Sequence, residues 1–106
     1  MIFEPVTSEN FQEQVIKSSV PVLVEFGATW CQPCKRLEPE LEKVKTVWAG
    51  RVRIGKVDVD VDPDLAMQFQ IMGVPTVILY KNGQAMQRIT GFMPIQKLID
   101  KFEPYL

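Results

Sequence analysis

Cys31 and Cys34 are the only cysteines of the chain, set three positions apart in Trp30-Cys31-Gln32-Pro33-Cys34-Lys35. On a helix start, residues i and i+3 share a face one turn apart. Two sulfurs so placed can close a small ring as a disulfide or open it to a dithiol. The first turn of a helix presents unpaired N–H groups with a partial positive charge behind them. A thiolate there is stabilised over its thiol, and the thiolate is the form that attacks disulfides. Cys31 is the expected attacking sulfur. Cys34, a turn away, is placed to resolve a mixed disulfide. Pro33 suits a first turn, where its missing N–H costs little. The reading requires Cys31 to be reachable and to titrate below an ordinary thiol.

Two blander uses of the pair compete. Zinc wants four ligands, and the chain has no histidine and no third cysteine. A purely structural disulfide over so short a loop restrains little of the unfolded chain. Redox chemistry is the stronger expectation.

The neighbouring elements must hold the pair in place. Val22-Leu23-Val24-Glu25-Phe26, between Pro21 and Gly27, reads as a strand buried on both faces. Its one carboxyl, Glu25, is then expected to be buried, with a pKa raised by desolvation. A helix is expected from about Cys34 to Trp48, with Leu37, Leu41, Val44 and Val47 inward and a kink at Pro39. Val52, Ile54, Val57 and Val59 mark a further strand whose Lys56 invites pairing with Glu25.

Elsewhere, Ile2–Glu4 reads as a short edge strand. A helix starts near Ser8 or Asn10, with Asn10 and Glu13 in a capping arrangement and Phe11 and Val15 inward. The acidic run Asp58–Asp64 superficially resembles a calcium loop, but Pro63 and Phe69 occupy the glycine and closing glutamate positions. It is better read as a helix start, with Asp62 as cap and Pro63 first, carrying Leu65, Ala66 and Phe69 inward. A strand over Val77–Tyr80, a turn at Asn82-Gly83 and a return over Ala85–Thr90 make a hairpin. A last helix from about Pro94 buries Ile95, Leu98, Ile99 and Phe102. The order is β-α-β-α-β-α-β-β-α, an α/β fold with a mixed five-stranded sheet flanked by four helices.

The 106 residues are read as one domain, long enough to bury roughly 60–70% of the extended-chain surface. Twelve basic and thirteen acidic residues are well mixed, giving a net charge of −1 and no nucleic-acid footprint. No apolar run approaches a membrane span. Met1–Pro5 lacks the regions of a signal peptide. A soluble, monomeric, cytoplasmic protein is the expectation, with no metal and no cofactor.

Val24-Glu25-Phe26, Trp30-Cys31-x-Pro33-Cys34-Lys35, Lys56, Gly73-Val74-Pro75-Thr76, Lys81-Asn82-Gly83 and Gly91 together resemble the thioredoxin family along nearly the whole chain. That resemblance implies a thioredoxin fold over 1–106 and a protein-disulfide reductase cycling a Cys31–Cys34 disulfide. It implies thioredoxin reductase as electron donor and protein disulfides as substrates. It makes Cys31 the nucleophile and Cys34 the resolving thiol. Glu25 becomes the proton-transfer group, with Lys56 as its charge partner. A cis bond is implied before Pro75, leaving the backbone of Val74 to pair with an extended substrate. Trp30, Gln32, Pro33, Gly73 and Gly91 complete the substrate groove. A binding module with incidental redox activity, or an oxidase or isomerase, are the alternatives. Three departures stand out: Gln32 for the usual glycine, Glu25 for the usual aspartate, and Gly27 for a common tryptophan. The last is expected to open space beside the active turn.

Overall fold

The computed structural model describes residues 3–106. Strand β1 (Glu4–Pro5) is followed by a π-helical segment, Gln12–Ile16, then β2 (Val22–Gly27) and α1 (Gln32–Val47). After β3 (Arg53–Asp58) come α2 (Pro63–Gln68), the hairpin β4 (Thr76–Lys81) and β5 (Gln84–Thr90), α3 (Ile95–Phe102) and a closing 3-10 turn. Of the N-terminal strand read over Ile2–Glu4, Ile2 lies outside the described residues.

The sheet order is β1-β3-β2-β4-β5. Strand β3 lies parallel to β1 and β2, as helical crossovers require, whereas β4 runs antiparallel to β2 and β5. This puts β2 in the middle. All six of its residues are buried, and because successive side chains alternate they feed two cores. Leu23, with Ile54, Val77 and Leu79, packs under Leu37, Leu41 and Val44 of α1 and Leu98 and Phe102 of α3. Val22, Val24 and Phe26 face the other way, against Phe11, Val15 and Leu65. Glu25 and Gly27 therefore point to the α1 face.

Several local readings are refined by packing. Helix α1 begins at Gln32, two residues before the expected Cys34, and runs through Pro39 as one α-helix. Its stripe ends on Trp48, which is buried, and not on Val47, which is 56% exposed. At 3.6 residues per turn, position 48 falls within roughly 20° of Leu37, whereas 47 lies roughly 80° away. The Trp48 indole N–H donates to Glu103 at 2.9 Å, tying α1 to the C-terminal turn. Asn10 pairs with Thr7 and not with Glu13: the Thr7 N–H donates to Asn10 Oδ1 at 2.8 Å, and the Asn10 N–H to Thr7 Oγ1 at 3.3 Å. Glu13 is left to its salt bridge with Lys17. Asp62 does precede α2, but its carboxylate accepts from Ser8 and makes no cap bond. Ile95 and Ile99 are only partly buried against the core.

The hairpin turn has positive φ at both centres, 53° at Asn82 and 79° at Gly83. That is the twist-matched turn that Asn-Gly favours. Among the described residues no helix is long and apolar enough to cross a membrane.

Leu41 is fully buried in the α1–α3 core. Leu41→Ala is expected to cost about 2–5 kcal/mol of stability, measured by guanidinium unfolding of the oxidised protein.

Candidate active site

The chain leaves β2 at Gly27, turns through Ala28–Trp30 and enters α1 with Cys31 as its N-cap. Cys31 has extended backbone angles (φ −85°, ψ 109°), and its Sγ accepts the backbone N–H of Cys34 at 3.1 Å. This is the amide-to-sulfur contact expected of a helix start. The two sulfurs are joined as a disulfide. In that state both residues are buried with Ala28, against Val59 and Val74. Cys31 is only 3% exposed and Cys34 1%, so the pair differs less in exposure than the sequence suggests. What distinguishes Cys31 is its cap position. Gln32 is exposed and Pro33 half-buried on the first turn.

Opposite the cysteines, the Val74–Pro75 peptide bond is cis. Thr76, buried at the start of β4, donates its hydroxyl to the Gly73 carbonyl at 2.7 Å, and the Gly91 N–H donates to the Pro75 carbonyl at 2.8 Å. These two bonds pin the loop from both sides. A cleft of about 250 Å³ opens between this loop and the active turn, lined by Trp30, Val59, Ala66, Ile71, Met72, Gly73 and Val74. Gly91, expected in the groove, bonds the loop through the Pro75 carbonyl and is not among the residues that line this cleft. Trp30 is 65% exposed and donates its indole N–H to Asp60 at 2.8 Å. Asp60 and the 94%-exposed Met72 have no signal in sequence periodicity. The acidic run thus supplies a tryptophan anchor in Asp60 and a partner for Ser8 in Asp62.

Glu25 is fully buried, and among the described residues no donor group bonds either of its carboxyl oxygens. Burial, with the nearby Glu38 charge, pushes its pKa from 4.5 up to about 8, against the opposing pull of Lys56. Lys56 does lie across from Glu25 in the β2–β3 register. Its ammonium, however, donates to Glu38 on α1. The direct Lys56–Glu25 pair expected from the sequence is therefore absent, because a better-solvated carboxylate is within the reach of the lysine. Gly27 also departs from expectation. A Cβ there would lie 3.2 Å from Cys34 Sγ and 3.4 Å from Glu25 Oε2. The missing side chain is not an opening but a surface against which the sulfur and the longer carboxyl are packed.

A carboxyl whose folded pKa exceeds its unfolded one binds more protons when folded, so stability falls as pH rises from 4.5 towards about 8. The full penalty, on the order of 4 kcal/mol, applies only above that range. Glu25→Leu is expected to stabilise the oxidised protein by a few kcal/mol above pH about 8 and to flatten this slope. Denaturant unfolding across the range measures it.

Comparison with known proteins agrees with this geometry. The thioredoxin family model matches residues 2–103. The thioredoxin of Mycobacterium tuberculosis is 46% identical over 86 residues, covering 81% of this chain and 74% of that protein. The thioredoxin of Staphylococcus saprophyticus is 40% identical over 106 residues, 100% of both chains. A Mycobacterium leprae protein named bifunctional thioredoxin reductase/thioredoxin is 43% identical over 86 residues, 81% of this chain and 19% of that one. On this extent of likeness, carried through the joined cysteines, the chain belongs to the thioredoxin family and is a thiol–disulfide oxidoreductase.

Proposed function

We propose that the whole chain acts as one domain that reduces protein disulfides, with Cys31 as nucleophile, Cys34 as resolving thiol and Glu25 as the group that moves the proton of Cys34. The supporting observation is the Cys34 N–H held on Cys31 Sγ at 3.1 Å. The same amide would stabilise a thiolate in the dithiol form.

In the first step the Cys31 thiolate attacks one sulfur of the substrate disulfide. The far substrate sulfur leaves as a thiolate and takes up a proton from water. In the second step Cys34 passes its proton to ionised Glu25, and the new thiolate attacks Cys31 Sγ. The second substrate sulfur leaves, takes up a proton, and the Cys31–Cys34 disulfide closes. Two electrons have passed from the pair to the substrate. A group with a pKa near 8 suits a thiol that titrates near ~8.5, because proton transfer is most effective between matched partners.

Approach to a sulfur as covered as Cys31 needs a narrow, extended segment. The cleft beside Trp30, Gly73 and Val74 would receive it, with the Val74 backbone pairing with the substrate strand and Gln32 and Pro33 at the rim. Thioredoxin reductase would return the electrons. The Mycobacterium leprae relative, whose name joins both activities in one chain, supports that pairing. A monomer working in the cytoplasm fits a reducing dithiol.

Cys31→Ser is expected to abolish turnover of a protein disulfide supplied with thioredoxin reductase. Cys34→Ser should instead accumulate mixed disulfides, seen as covalent adducts on non-reducing gels. In the reduced protein, Cys31 should react with an alkylating agent and titrate below about 8.5, followed by thiolate absorbance. An unreactive Cys31 with an ordinary thiol titration would overturn the assignment.

A further inference from the structure

Glu38 follows Cys34 by four residues on α1 and stands one turn further along the same side. Its carboxylate accepts a charge-assisted hydrogen bond from Lys56. Lys56 could serve either of two acids, since Glu25 is its direct neighbour across the β2–β3 ladder. It serves the one nearer water: the Lys56 and Glu38 side chains are 28% and 17% exposed, whereas Glu25 has no exposed surface. Pairing with Glu38 leaves the lysine and its partner partly hydrated. Pairing with Glu25 would draw the lysine charge towards a fully buried carboxylate, at a cost in desolvation.

We propose that Glu38 is a positioning residue for disulfide exchange: by holding Lys56, it denies the buried Glu25 carboxyl a hydrogen-bonding cation and keeps it free to trade a proton with Cys34. The groups facing Glu25 are few. Cys34 and Glu38 come from α1 and Lys56 from β3, while β4 offers only apolar Val77 and β2 itself Gly27. Among the described residues Glu38 is the carboxylate that holds the lysine. Two effects act in the same sense. Glu38 withholds the cation, and its own carboxyl disfavours ionisation of Glu25 both by its charge and as a hydrogen-bond partner for the protonated acid. Losing both would make Glu25 a weaker base that is ionised at lower pH, and would shift the pH range over which it can take the proton of Cys34.

The inference rests on Glu25 as the proton-transfer group, and its test separates the two claims. In Glu38→Gln, carbon NMR of the oxidised protein should find the Glu25 carboxyl titrating roughly 1–3 units lower, the effect of a newly adjacent cation. The pH midpoint for resolution of the mixed disulfide should fall with it. Adding Lys56→Met should bring both back up. A merely structural salt bridge would lower stability and leave the titration where it was. The positioning role is overturned if Glu25 titrates unchanged in Glu38→Gln, or stays low in the double variant. If Glu25→Gln resolved mixed disulfides at the normal rate, the proton-transfer reading itself would fail, whereas the NMR titration judges the ion-pair claim directly.

Discussion

Burial of β2 on both faces is the constraint from which the rest follows. A strand with six consecutive buried residues needs a layer above and a layer below, and alternation sends its odd-numbered side chains to one of them. That side receives α1, so whatever the strand presents at 25 and 27 meets the first turns of the helix. The strand also ends in mid-sheet, with β3 and β4 on either side. Its exit is thus the place where an open α/β sheet gathers its chemistry. Cys31 is delivered to a helix N-terminus because α1 must begin there to cover Leu23 and its neighbours.

The electrostatics are a consequence of the same burial. Glu25 replaces what would ordinarily be an apolar residue in a sheet centre, and no donor reaches it. An isolated carboxylate is costly in such a place, so the group answers by holding its proton. The site thereby gains a proton carrier at the thiol end of the pH scale, and the fold loses stability at neutral pH in return. The nearby ion pair takes the opposite course. Lys56 and Glu38 pair with each other, and each keeps part of its side chain exposed.

Much of this was legible in the sequence, and the exceptions share a cause. The element order, the central strand, the helix start at the cysteines and the Asn82-Gly83 turn are local or periodic features, and local rules read them. Val47 and Trp48 are hard to tell apart in sequence because spacings of three and four both fit a helix over one turn; only the accumulated angle separates them. The hydrogen-bond partner of Lys56 is hidden for a different reason, although its charge still acts on Glu25. Strand register brings Lys56 beside Glu25, but the choice between Glu25 and Glu38 depends on their relative hydration, which no one-dimensional pattern encodes. Asp60 beneath Trp30 and Ser8 on Asp62 are loop contacts across 30 and 54 positions, outside the reach of any window. Gly27 in place of a common tryptophan suggests space; the contacts there depend on how far its neighbours extend.

The snug seat at Gly27 constrains what the position can hold. A carboxyl oxygen and a sulfur both stand within 3.4 Å of where a side chain would begin. A side chain at 27 would press first on the Cys34 sulfur at 3.2 Å, which would have to yield by a few tenths of an ångström, whereas the Glu25 oxygen at 3.4 Å stands near ordinary contact distance. The size tolerated at 27 is therefore tied to the seat of the resolving sulfur more than to the length of the acid at 25.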